Sequence, residues 1–119
     1  MEHDTEVFFW YAEQMNLNVP NSWHKYLIIP DVTCPGCAAA TVKHLFHESD
    51  SNTLIVTLNI FEKYIKEDIQ GDVVIDTAST VNNLNWDLGN VIELHTENGE
   101  VIFAKSYSSE ELICPVVKD

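Results

Sequence analysis

The chain has 119 residues, 45% of them hydrophobic, enough for one ordinary domain with its own core and too many for a disordered chain. Six basic residues stand against 19 acidic ones, a net charge of −13. That balance argues against binding nucleic acid or an anionic membrane surface, both of which are met by Lys and Arg, and it keeps a chain soluble and monodisperse.

Thr5 to Leu17 has the period of an amphipathic helix, with Thr5 as its cap and Phe8, Tyr11, Ala12 and Met15 on the apolar face; Val19-Pro20-Asn21-Ser22 stops it. One helix face cannot bury the whole run Phe8-Phe9-Trp10-Tyr11, so a dimer contact or a partner groove is expected through this helix. The same run lacks a basic flank and a cleavage site, so it is no signal peptide, and no stretch reaches the ~18 to 20 apolar residues of a membrane span. Met1 as the native start implies the cytoplasm; a removed leader would imply the cell envelope or periplasm.

Lys25 to Pro30, with Tyr26-Leu27-Ile28-Ile29, reads as a buried strand of a parallel sheet. A helix follows, beginning at or inside Cys34-Pro35-Gly36-Cys37, running through three alanines towards His47 and ended by Ser49-Asp50-Ser51-Asn52. Pro35 suits its first turn, where a missing N–H costs nothing. Thr53 to Leu58 is a second buried strand and Ile60 to Gln70 a further helix, with Gly71 just beyond. Val73-Val74-Ile75 is a short strand, and Asp76 to Gly89 is polar and irregular, anchored by Leu84, Trp86 and Leu88. Val91 to Leu94 and Val101 to Ala104 flank Glu97-Asn98-Gly99 as a hairpin, and Ser108 to Asp119 is a tail with a last helical turn. Strand–helix–strand units imply parallel pairing, and the closing hairpin adds antiparallel strands.

Three cysteines are too few for a disulfide scaffold. Cys114, in Leu112-Ile113-Cys114-Pro115, is expected as a small buried hydrophobe. Cys34 and Cys37 form C-x-x-C, a pattern of redox or metal chemistry. A thiol at a helix N-terminus faces free backbone N–H groups and the positive end of the dipole, and both stabilise the thiolate. Cys34 is then the exposed nucleophile and Cys37, further into the helix, the resolving thiol; Pro35 and Gly36 place no bulky side chain in the way.

The element order, with Leu27-Ile28-Ile29-Pro30 running into Cys34-Pro35-Gly36-Cys37 and with the segment Asn90 to Val101 as a closing hairpin, resembles the thioredoxin superfamily. The likeness is to the branch of thioredoxin-like reductases related to peroxiredoxins and membrane-anchored maturation proteins, and it covers Tyr26 to Tyr107. It implies one α/β thioredoxin-like domain over residues 1–119. Residues 25–107 would be the core, a mixed central sheet with helices on both faces, and residues 1–20 a helical extension. It implies thiol–disulfide exchange with a protein or small-molecule thiol or disulfide as partner and no bound cofactor. The family docks substrates on a cis-proline before the hairpin; here that position falls at Asn90. Thr33 stands where many members carry Trp, and Ile28 where thioredoxin has a buried acid.

Two other readings stay open. One is a non-catalytic binding domain on the same fold. The other is soft-metal binding by Cys34 and Cys37, since Asp31 to Cys37 also resembles the heavy-metal-associated domain, which holds copper(I) between two thiolates. That family continues helix–strand–strand, whereas this chain reads helix–strand–helix. A zinc site lacks further ligands nearby: His44 and His47 fall roughly 10 to 15 Å down the helix from Cys37 and are expected on its surface. No metal ligand set is therefore assigned. Trp10, Trp23 and Trp86 are expected as core or edge anchors. No Ser-His-Asp set, phosphate-cradling glycine loop or H-E-x-x-H is identifiable.

Overall fold

The computed structural model describes residues 2–30, 35–46, 52–58, 72–77, 80–83, 91–108 and 110–112. These form helix α1 (Glu2–Gln14), strand β1 (His24–Ile29), helix α2 (Pro35–Leu45), strands β2 (Thr53–Leu58) and β3 (Asp72–Asp76), a 3₁₀ turn at Thr80–Asn83, and strands β4 (Val91–Glu97) and β5 (Glu100–Tyr107). The expected helix over Ile60 to Gln70, the anchors Leu84, Trp86 and Leu88, and Cys114 lie outside the described residues.

The five strands make one mixed sheet in the order β3-β2-β1-β4-β5. β1 pairs β2 in parallel and β2 pairs β3 in parallel, as the strand–helix–strand reading requires. β4 lies antiparallel to β1 and β5 antiparallel to β4. The central strands are apolar on both faces because both faces are covered: Leu27, Ile28, Val56 and Ile55 are all buried. Each such side chain contributes about 1.5–3 kcal/mol on burial.

Alternation along β1 shows which helix covers which face. The Tyr26 ring packs 4.8 Å from that of Phe8 on α1, while the ammonium of its neighbour Lys25 donates to the Leu45 carbonyl at the end of α2. Successive strand residues point to opposite faces, so α1 and α2 lie on opposite sides of the sheet.

α1 differs from expectation at both ends. It begins at Glu2, whose carboxylate, with that of Asp4, suits the positive end of the dipole. Thr5 is therefore no cap: its Oγ1 accepts the Val101 N–H of β5 at 3.0 Å. The helix ends before Pro20 because Asn16 turns left-handed at φ 55. Leu17 N–H then bonds the Ala12 carbonyl and Asn16 N–H that of Glu13, a Schellman ending. The aromatic run divides as its spacing demands. Phe8 and Tyr11 are buried and Phe9 is partly buried, but Trp10 is 47% exposed and is no core or edge anchor.

The hairpin is longer than its apolar cores suggested, because ladder bonds run to the turn itself. Asn98 (φ 53) and Gly99 (φ 76) supply the two positive φ angles that a two-residue hairpin loop needs. A bulge between His95 and Thr96 sets Phe103 and Val101 opposite them and leaves Ile102 extra.

Candidate active site at the start of the second helix

Pro35 is the first residue of α2, as its missing N–H favours, and Cys37 falls in the first turn. Ala38 and Val42, one and five residues on, are buried against the sheet and fix the face that Cys37 shares. Cys37 is 6% exposed. Its carbonyl accepts the Thr41 hydroxyl at 2.8 Å, a local back-bond that ties the first turn to the second. The Cys37 sulfur is disulfide-bonded, and its partner lies outside the described residues. Gly36 is half-buried. Cys34, the Pro35 side chain and Asn90 also lie outside the described residues.

The charge distribution orients the dipole of α2 usefully. Its first turn carries no acid. Its last turn carries Lys43 and His44, and the buried Lys25 ammonium bonds the Leu45 carbonyl at 2.8 Å. The Lys43 and Lys25 ammonium groups thus suit the negative end, and no acid within the first turn offsets the positive end. His44 is exposed, as expected.

The sheet brings the right ends together. Ile28 of β1 pairs with Ile92 of β4, so Val91, first in β4 and fully buried, sits beside the end of β1 from which the chain runs to α2. Ile28 itself is buried, so β1 places no carboxylate behind Cys37. Among the described residues the carboxylate buried at this end of the sheet belongs to Asp76, on the other face. The Tyr11 hydroxyl donates to its Oδ2 at 2.8 Å, and the amides of Thr80 and Val81 donate at 2.9 Å each. Burial, then the bond to Asp76, push the Tyr11 phenol well above its ordinary value of 10.0. Asp76 is therefore the last residue of β3 and 1% exposed, not the start of a polar irregular stretch. The sequence signal for it was an acid closing an apolar strand a few residues ahead of amides needing acceptors.

A second polar cluster, also unread in the sequence, lies on the α2 side of β4 and β5. The Glu93 carboxylate accepts His95 Nε2–H and the Tyr107 hydroxyl, both at 2.8 Å. Desolvation, then Glu93, raise the Tyr107 phenol above its ordinary value. The His95 ring stacks on Phe103 at 4.7 Å and meets the edge of Trp23 at 5.1 Å. Trp23 is partly buried there, outside the main core cluster. The pattern Glu93-x-His95 on one strand face was the available clue, since alternate residues share a face.

Among the described residues no three His, Cys, Asp or Glu side chains converge as a metal site, and no helix is long and apolar enough to cross a membrane. The chain matches no known protein family, no curated protein and no solved structure.

Proposed function

We propose that this is a thioredoxin-like domain that exchanges disulfides through Cys34 and Cys37. The observation that carries the reading is the disulfide-bonded, nearly buried Cys37 in the first turn of a helix that follows a central strand. The β2-β1-β4-β5 arrangement, one parallel pair followed by an antiparallel hairpin, supports it, as does a first turn of α2 that carries no acid.

In the exchange, the Cys34 thiolate attacks one sulfur of the partner's disulfide. A mixed disulfide forms, the partner's S–S bond breaks and its second sulfur leaves as thiolate. The Cys37 thiolate then attacks Cys34 Sγ, forming the Cys34–Cys37 disulfide and releasing the partner's first sulfur. Two electrons pass from this chain to the partner, and a second thiol couple returns them. The step uses no bound cofactor. Asn90, at the docking position before β4, would contact the partner through its backbone.

The test is a redox titration in glutathione and dithiothreitol buffers with thiol trapping. The expected result is one two-electron transition between about −120 and −270 mV, abolished by Cys34→Ser or Cys37→Ser and unchanged in Cys114→Ser. A transition that survives Cys34→Ser and needs Cys114 would overturn it. So would stoichiometric copper or zinc on the reduced protein.

A further inference from the structure

Among the described residues the outer face of α1 is unpartnered, with an aromatic side chain at its centre. Trp10 is 47% exposed, and its indole makes no ring contact or hydrogen bond among the described residues. Glu6 lies one turn before it and Glu13 one turn after, at the i−4 and i+3 spacings that share a stripe. Both are exposed, and neither carboxylate is hydrogen-bonded or ion-paired among the described residues. The opposite face of the helix, Phe8, Tyr11 and Ala12, is spent on the core.

Helix stability does not account for these acids. Glu13 sits in the last turn, where the dipole disfavours a negative charge, and that turn holds no basic residue. Glu6 and Glu13 have no lysine three or four residues away. Among the described residues the lysines are committed or distant: the Lys25 ammonium is buried against Leu45, Lys105 pairs with Glu111, and Lys43 belongs to α2 on the far side of the sheet.

We propose that this face docks an arginine- or lysine-bearing segment of a basic partner protein, its cation set over the Trp10 ring between the Glu6 and Glu13 carboxylates. An aromatic face attracts a cation through its quadrupole, and the flanking carboxylates supply the counter-charge. A rigid, half-exposed Trp inside a charged rim is the usual anchor of an interface. A second copy of the chain is disfavoured as occupant, because each copy brings a net charge of −13. The proposal is independent of the cysteine chemistry.

The experiment titrates the whole ¹⁵N-labelled chain with a blocked decapeptide of alternating Arg and Ser, and with its Glu-Ser counterpart as control. The expected result is saturable shifts of the Trp10 indole signal and of the Glu6 to Glu13 amides with the basic peptide alone. Trp10→Ala should weaken binding about two- to fivefold at unchanged net charge, and the double change Glu6→Gln, Glu13→Gln should weaken it and flatten its salt dependence. Trp10→Leu keeps the apolar bulk and should weaken it as Trp10→Ala does. Far-UV circular dichroism checks that each variant folds. Shifts spread over acidic residues throughout the chain and untouched by Trp10→Ala would mean diffuse attraction and overturn the proposal. No binding would overturn it too, as would Trp10 shifts that follow protein concentration without peptide, which would mark a second copy.

Discussion

Asp76 is the residue on which the most local structure depends. One carboxylate holds the Tyr11 hydroxyl of α1 and two amides of the 3₁₀ turn, joining β3 and the turn just after it to a helix 65 residues away in the chain. Tyr11→Phe removes a donor to a buried charged acceptor and should cost about 1.5–3 kcal/mol in urea unfolding. Asp76→Ala leaves the hydroxyl and both amides without an acceptor and should cost more, about 3 kcal/mol. A Tyr11→Phe midpoint equal to wild type would show that the bond adds nothing. The raised phenols of Tyr11 and Tyr107 set the sign of an alkaline effect. In the unfolded chain both ionise near their ordinary value of 10.0, while in the folded chain they stay protonated. Above that pH the unfolded state binds fewer protons, so stability is complete below pH 10 and falls as pH rises beyond it. The fall in urea midpoint over that range should be shallower in Tyr11→Phe; parallel curves would count against the burial of a protonated phenol.

At the scale of elements, the β4–β5 hairpin shows how turn chemistry and tertiary contact combine. Asn98-Gly99 is the turn its sequence announces, and the Asn98 N–H also bonds the Asn21 carbonyl at 2.7 Å, anchoring the hairpin tip to the segment after α1. A Cβ at Gly99 would meet no atom within 4 Å, so the cost of Gly99→Ala is conformational and not steric. It should be about 1 kcal/mol, read from thermal or urea unfolding; a neutral substitution would mean that the turn relaxes to negative φ. The Schellman ending of α1 makes the complementary point. Pro20 marks where a helix must have stopped, but the side chain that stops it is Asn16, because an asparagine tolerates the left-handed region and its neighbours find acceptors there.

For the whole molecule, the net charge of −13 dominates. With six basic residues against 19 acids, pairs such as the half-exposed Lys105–Glu111 are too few to balance the acids. Self-repulsion of one-signed charge opposes folding, and salt shortens its reach from about 30 Å at 0.01 M to about 10 Å at 0.1 M. The urea midpoint should therefore rise with sodium chloride over that range. A falling midpoint would mean that attractive pairs outweigh the repulsion.

Much of the architecture was legible in the sequence, because its signals are local. Apolar runs of strand length marked β1, β2 and β3, and the period of α1, the Pro35 entry to α2 and the Asn98-Gly99 turn each act within a few residues. The cysteine pair was legible for the same reason, since its spacing and its place before a run of alanines are properties of one short segment. Other features were settled only when distant segments met. Thr5 reads as a cap until Val101, 96 residues away, takes its hydroxyl oxygen, and Asp76 reads as loop until Tyr11 reaches it across 65 residues. Glu93, His95 and Tyr107 become one network only once β5 folds back on β4. Which member of Phe8-Phe9-Trp10-Tyr11 faces water was likewise decided by where the sheet lies. Helix period, strand alternation and turn type are inscribed in neighbouring residues, whereas the partner of a polar side chain and the exposure of an apolar one depend on which remote surfaces come into contact.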